Sequence, residues 1–313
     1  MKYSRIKERE FYKSLNASAY KRVMQERQNL AVVNTETGEI VPYYEPTPVL
    51  SENQHYAYKN LSKLDQHHEE NGGFVSAFYE QEKPMAEQLP TLTQSDYARL
   101  IYIATYTGYP ERGNVFGYLR YDNQYYINKN GLFKLLDMSR NKFNEFYKKV
   151  TELKILEETD DGKIIMNPFY FYRGDYKEID DIIANRQHIR MYRKTIRELY
   201  RQCPKRQIKR LGLIYAVLPY INPNFNIIAH NPDEKDANFL KPMRLGELAD
   251  KLGYANADTL KRALRSIRFD RKPVFQFIED EPDNRKRKII VNPSVVFGGN
   301  GEVLDEIKAM FND

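Results

Sequence analysis

One succession of patterns occurs twice along the 313 residues, and a duplication of that size restricts the fold more than any single motif does. In the first copy Asn128-Lys-Asn130 opens a short helix through Leu132, Leu135 and Leu136. Asp137-Met-Ser139 is a tight turn, and Ser139 caps a second helix with apolar positions Phe143, Phe146, Tyr147, Val150 and Leu153. Two β-rich runs then flank Asp161-Gly162, a strong hairpin dipeptide. About 115 to 125 residues later the order returns. Leu245, Leu248, Ala249 and Leu252 make the short helix, Gly253-Tyr-Ala-Asn256 the turn, and Leu260, Ala263, Leu264 and Ile267 the second helix, at the same offsets as Phe143, Phe146, Tyr147 and Val150. Val274 to Ile278 and Lys288 to Val291 form the second hairpin. Ile164-Ile-Met-Asn-Pro168 and Ile289-Ile-Val-Asn-Pro293 close the copies in nearly the same words. Helix, turn, helix and hairpin in that order predict an α+β, mainly helical chain with two tandem winged helix-turn-helix domains and an N-terminal arm.

The expected division is an arm over 1–73, a first winged helix over 74–176, a basic connecting helix over 177–210, a second winged helix over 211–300 and a short C-terminal helix over 301–313. Within the arm, residues 1 to about 30 read as a basic amphipathic helix and Ala31 to Val41 as a small hairpin around a Thr-Gly turn. A polar stretch follows, and the arm as a whole is too poor in aliphatic residues to hold a core alone, so it reads as either disordered or packed on a partner. Thr93-Gln-Ser-Asp96 is a capped start for a helix running to Thr107, and Leu211 to Leu218 a buried one.

Lys+Arg 49 against Asp+Glu 43 gives a net charge of only +6, but the excess is clustered. Acidic blocks at 157–161, 175–181 and 279–283 alternate with basic tracts at 186–210, 261–272 and 285–288. Clustered basic charge suits an anionic partner, most simply nucleic acid. The longest apolar run, Leu211 to Ile221, is too short and too interrupted for a membrane helix, and the charged N-terminus resembles no secretion signal. A cytoplasmic protein of a bacterial nucleoid or plasmid, with no membrane contact, is the expectation.

A helix in the major groove reads base edges from its outer face, with Arg and Asn the types that pair bidentately with guanine and adenine. The first copy offers Ser139, Arg140, Asn141, Lys142, Asn144 and Lys148 there; the second offers Asn256, Thr259, Lys261, Arg262, Arg265 and Arg268. Arg140, Asn141 and Asn144 are the candidates for base readout, and the more basic second set suits phosphate. The same residues would also serve as the solvated side of an ordinary surface helix. Glu157, Glu158, Asp160 and Asp161 make the first wing acidic, whereas Arg285, Lys286, Arg287 and Lys288 make the second a phosphate track. Taken as one helix, Arg186, Arg190, Arg193, Arg197 and Arg201 form a stripe that either follows a phosphate backbone or pairs with the acidic 175–181 segment.

Enzyme signals are poor. The pair His67-His68 lacks metal-ligand spacing, no Gly-x-x-x-x-Gly-Lys phosphate loop exists, and the lone Cys203 reads as an incidental thiol. No catalytic residue, metal or cofactor is expected.

The Phe74-Val-x-x-Phe78 segment before a long helix, the helix-turn-helix, and the wing ending in Asn167-Pro168, Phe171 and Gly174 resemble the winged-helix replication initiators of plasmids and phages of Gram-positive bacteria. Asn292-Pro293 to Gly298 is a weaker second match, and Thr35 to Val41 resembles the N-terminal hairpin of such mobile-element proteins. The resemblance implies sequence-specific binding of double-stranded origin DNA without nicking, and recruitment of host replication proteins. The same fold also serves phage or plasmid transcription repressors, which meet host transcription proteins, and a non-enzymatic partitioning or interaction adaptor is the third reading. A homodimer through the arm stays open.

Overall fold

The computed structural model describes residues 17–41, 52–278 and 287–312. The chain is α+β, with helices and small antiparallel sheets. It divides into two compact units, one of residues 1–70 and 300–304, the other of 71–299 and 305–313.

In the smaller unit, helix α1 (Ala17–Gln28) lies within the expected basic helix, whose residues 1–16 fall outside the described ones. Val33 and Ile40 form the antiparallel bridge of the expected hairpin, with Gly38 at φ 74° in its turn. The next segment departs from expectation. Helix α2 (Glu52–Glu70) is 19 residues long where the polar sequence reads as linker. No Gly or Pro interrupts it, so weak propensity suffices once Leu64 and His67 are buried and Tyr58 Oη donates to Glu26 of α1 at 2.7 Å.

The larger unit is built on strand β1 (Phe74–Tyr79), whose aromatic and β-branched residues are buried from Val75 onward. After it come α3 (Met85–Gln88), α4 (Gln94–Ala104), β2 (Gly117–Tyr118), α5 (Lys129–Leu136), α6 (Arg140–Glu152), β3 (Leu156–Glu158), β4 (Ile164–Met166) and β5 (Phe171–Tyr172). Then follow α7 (Asp180–Ile183), β6 (Gln187–Tyr192), α8 (Arg193–Gln202), α9 (Ile208–Ala216), α10 (Leu245–Lys251), α11 (Ala257–Arg265), the β7–β8 ribbon (Arg268–Phe269, Lys272–Pro273), β9 (Phe275–Ile278), β10 (Lys288–Val291) and β11 (Val296–Phe297). Helix α12 (Leu304–Ala309) lies in the expected C-terminal segment.

The expected connecting helix over 177–210 is not one helix: residues 187–192 form β6, in the middle of a sheet ordered β11-β6-β1-β5. Ile189 and Met191 are buried while His188 and Arg190, on the opposite face, are half-buried, the alternation of a strand, and helical spacing of the arginines masked it. β1 and β6 pair antiparallel from Phe74↔Tyr192 to Tyr79↔Gln187, and each takes its own copy's last strand on its outer edge, β5 through Ser76↔Tyr172 and β11 through Met191↔Val296. Both edges are only two residues long, which leaves little strand for another chain to pair with.

The copies thus meet through an approximate two-fold relation, made of β1 against β6 and α4 against α9. Tyr97 of α4 and Phe171 of β5 both contact the Tyr215 ring of α9, at centroid distances of 5.6 Å. Gly212 lets the two helices cross closely, since a Cβ there would lie 1.8 Å from Gln94 O.

The repeated Asn-Pro has a structural explanation. Asn167 Nδ2 donates to Lys154 O and its Oδ1 accepts from Phe169 N; Asn292 Nδ2 donates to Pro273 O and its Oδ1 accepts from Ser294 N. Each side chain ties the end of its hairpin to the segment after the second helix and turns the chain into the edge strand. Tyr170 O then accepts from Phe78 N, and Val295 O from Tyr192 N.

Candidate nucleic-acid interface

In the first copy Asn128 caps α5 by accepting from Gly131 N, and Asp137, at φ 45°, ends it in the left-handed region that makes the turn tight. Ser139 occupies the N-cap position of α6, but its hydroxyl makes no cap hydrogen bond, which corrects the expectation that it caps through its side chain. Phe143, Phe146, Tyr147 and Val150 are buried as expected. Ser139, Arg140, Asn141, Lys142, Asn144 and Lys148 are all exposed. At about 100° per residue, Arg140, Asn141, Asn144 and Lys148 share an arc of about 100°, with Lys142 outside it. Arg140 lies over the Phe133 ring at 4.9 Å, and Lys148 reaches Glu152 at 3.7 Å.

Asp96 anchors this helix to α4. Its carboxylate accepts from Thr93 N at 3.0 Å in the expected capping box and receives Arg99 at 2.8 Å and Lys149 of α6 at 3.2 Å. Burial works to raise its pKa, but the hydrogen bonds from Thr93 and the charge of Lys149 outweigh it and hold the carboxyl below its ordinary range.

The hairpin expected as the first wing is β3 and β4, with β2 as a third strand, through Gly117↔Met166 and Leu156↔Met166. Its acidic residues are exposed, and two have internal partners: Glu158 accepts from Tyr147 Oη at 3.0 Å, and Asp161 meets Lys163 at 2.6 Å. Burial, then Glu158, pushes the Tyr147 phenol up, so this clasp persists at neutral pH.

In the second copy Leu260 and Leu264 are buried on α11. Lys261, Arg262 and Arg265 share an arc of about 100° with Asp258, so one acid sits among three bases. Arg265 also lies over the Phe277 ring at 5.2 Å. Asn256 is the helix cap, its Oδ1 accepting from Thr259 N at 2.9 Å, which fixes the side chain at the helix end and leaves its amide nitrogen and one lone pair of Oδ1 for a partner. Thr259 is half-buried outside the arc. Arg268 has left the helix for β7, and its guanidinium donates to Arg271 O at 2.7 and 3.0 Å; the chain turns back there through Asp270 and Arg271 at positive φ. Helix α11 and the β9–β10 hairpin enclose a cavity of about 330 Å³ around which Arg244, Lys261, Arg287 and Lys288 converge. Arg285 and Lys286 lie outside the described residues.

The arginine stripe is largely committed inside the fold. Arg186, ahead of β6, donates to Phe78 O at 3.1 Å and lies over the Phe169 ring at 4.0 Å. Arg190 donates to Gly298 O and Gly299 O. Arg193 donates to Thr105 O at 2.7 Å, and Arg197, 7% exposed, to Thr105 and to both Asp122 oxygens at 2.7 and 2.9 Å. Arg201 is exposed at the end of α8, within 3.4 Å of Tyr106 Oη. Neither a continuous phosphate track nor pairing with the 175–181 acids is formed. Glu178 accepts from Tyr172 and Asp175 caps a turn, while carbonyls, Glu80 and Asp122 serve the arginines. Helical periodicity placed the five residues together because it could not register that a strand interrupts them.

Lys205 and Arg206, between α8 and α9, and Lys209, in the first turn of α9, are exposed to solvent, with Lys205 paired to Asp137 at 2.6 Å. No group of three or more potential metal ligands occurs among the described residues, and none of the helices they form is long and apolar enough to cross a membrane. Cys203 is partly buried, and burial raises its thiol pKa, the opposite of an activated cysteine. Comparison with protein-family models, curated proteins and solved structures finds no match to this chain.

Proposed function

We propose that the protein binds specific sequences of double-stranded DNA through two winged helix-turn-helix units, as a replication initiator of a mobile element that does not itself cut DNA. The observation that carries this reading is the repeated exposed helix. In each copy a short helix and a tight turn present a second helix whose inner face is buried and whose outer face bears Arg, Lys or Asn. Arg140, Asn141 and Asn144 suit base edges; Lys261, Arg262, Arg265, Arg287 and Lys288 suit phosphate, with the second unit dominating non-specific affinity. A transcription repressor would use the same surfaces, and direct repeats in the bound DNA with strand opening separate initiation from repression.

The two-fold relation between the two copies within the larger unit favours one chain bridging two unlike half-sites. Each recognition helix then addresses its own stretch of groove about one helical turn from the other. The reading is tested by the salt dependence of duplex binding. Replacing Arg262 and Arg265 by Ala should lower the slope of log K against log salt by about 0.9 for each lost phosphate contact. An unchanged slope refutes phosphate contact by α11.

A further inference from the structure

A second concave site lies where α4 gives way to the 105–126 loop, a cavity of about 230 Å³ that the DNA reading does not use. Thr107, Tyr109, Arg120, Asp122, Arg173 and Arg193 are among its walls. Two of the neighbouring cations are already neutralised: Arg120 by Glu111, and Arg197 behind the wall by Asp122 at 2.7 Å. Arg173 and Arg193 remain in excess. The Arg173 guanidinium lies over the Tyr109 ring at 4.2 Å and has no hydrogen-bond acceptor among the described residues. Arg193 uses Nε on Thr105 O, while its terminal nitrogens reach only Gly72 O at 3.4 Å and Asp122 at 3.5 Å. Burial, then the charges of Arg173 and Arg197, push its pKa down to about 10, the mark of a crowded cation short of anions.

The walls also hold donors that nothing satisfies. Thr107 is 1% exposed and its hydroxyl is buried without a partner among the described residues, as is Arg120 Nε. Buried polar groups are nearly always paired, and an unpaired pair beside two excess guanidiniums points to an acceptor supplied from outside. A guanidinium fork presents parallel N–H donors to the oxygens of a phosphoryl group, and a hydroxyl adds a third direction. Tyr109, 63% exposed at the mouth, offers an aromatic surface to whatever carries that group.

We propose that this cavity binds a phosphoryl group, held by Arg173, Arg193 and the Thr107 hydroxyl. It comes either from a mononucleotide, with its base against Tyr109, or from a nucleic-acid backbone.

The test uses the full chain in chloride buffer at constant ionic strength, titrated with inorganic phosphate and with adenosine 5′-monophosphate by calorimetry. Arg173→Ala and the near-isosteric Thr107→Val are compared with Arg206→Ala, an exposed cation elsewhere, and Thr107→Ser restores the hydroxyl. Saturable binding of either anion, weakened at least tenfold by the first two variants and unchanged in the others, is the expected result; tighter binding of the nucleotide than of phosphate identifies the first source. If neither small anion binds, loss of about one unit of duplex salt slope in Arg173→Ala, with weaker duplex binding by Thr107→Val, identifies the backbone. No anion binding together with unaltered duplex binding in both variants overturns the proposal. The anion titrations do not require duplex binding, so this site and the DNA reading fail separately.

Discussion

Replacing Gly212 by Ala should destabilise the larger unit, although Ala is ordinarily the better helix former. The substitution lies within α9 at a backbone φ that any residue can adopt, so propensity alone would favour it by about 1 kcal/mol. The new Cβ would lie 1.8 Å from Gln94 O and 2.8 Å from Gln94 C. Carbon and carbonyl oxygen touch at about 3.3 Å, so α4 and α9 must separate by roughly 1.5 Å where they cross. The obstacle is backbone, which cannot rotate away as a side chain would. A gap of 0.5 to 1 Å already forfeits about a quarter to a half of each dispersion contact, and Ala98, Ile101, Leu213 and Tyr215 are all buried around this crossing. Overpacking at the upper end of its usual cost, about 3 kcal/mol, less the propensity gain leaves a net loss of about 2 kcal/mol.

Urea denaturation followed by circular dichroism measures this as a lowered midpoint at unchanged slope. Gly246→Ala is the internal control. It lies in α10, a Cβ there would meet nothing within 4 Å, and the change should stabilise by about 0.5 kcal/mol. If Gly212→Ala is as stable as the parent or more so, α4 and α9 do not cross as described, and the shared core of the two copies is wrong.

Asp96→Ala removes the buried carboxylate that joins α4 to α6 and should cost roughly 3 kcal/mol in the same assay; a loss below about 1 kcal/mol would mean that Lys149 and Arg99 are equally well solvated without it. His188 contacts the Phe78 and Tyr176 rings, and burial, then Arg190, lowers its pKa below 6.5. The unfolded chain therefore binds the proton more readily. Stability from this group is complete above about pH 6.5 and declines as pH falls toward the folded pKa, by less than about 1.4 kcal/mol per pH unit. His188→Phe should remove that component from a stability-versus-pH profile, and an unaltered profile would contradict it. Replacing Asn141 and Asn144 by Ala should reduce discrimination between cognate and random duplex by about 1 to 3 kcal/mol for each lost bidentate pair, with the salt slope preserved. Unaffected competition by random DNA would place base readout elsewhere.

What was legible in the sequence is local and repeated. The capping box at Thr93 and Asp96, the turn at Asp137, the buried positions of α6 and α11, and both hairpins follow from spacing and from the turn preferences of Asn, Asp and Gly. The Asn-Pro terminators were visible as words, but their role at Lys154 and Pro273 was not, because it depends on contacts across the hairpin. The sheet that joins the copies leaves no local signal for the same reason. Gln187 to Tyr192 alternates as a strand should, yet its Arg190 also fits a helical stripe from Arg186 through Arg201, and only pairing with β1 distinguishes the two. The exposed face of α6 could be anticipated from periodicity. The inward commitment of Arg186, Arg190, Arg193 and Arg197 could not, since carbonyl acceptors such as Thr105 O and Gly298 O carry no side-chain signal. Conversely, the cavity beside Thr107 has no sequence signature, its walls being drawn from the segment after α4, the 120–124 turn, β5's exit and the start of α8.

Selection of bound sequences from random duplexes by the full chain at moderate salt tests the central claim most directly. The account predicts a bipartite site, with two unlike half-sites about one helical turn apart. The half-site lost on mutating Asn141 and Asn144 should differ from the one weakened on mutating Arg262 and Arg265. Recovery of no preferred sequence, or failure to retain any duplex at that salt, would contradict it.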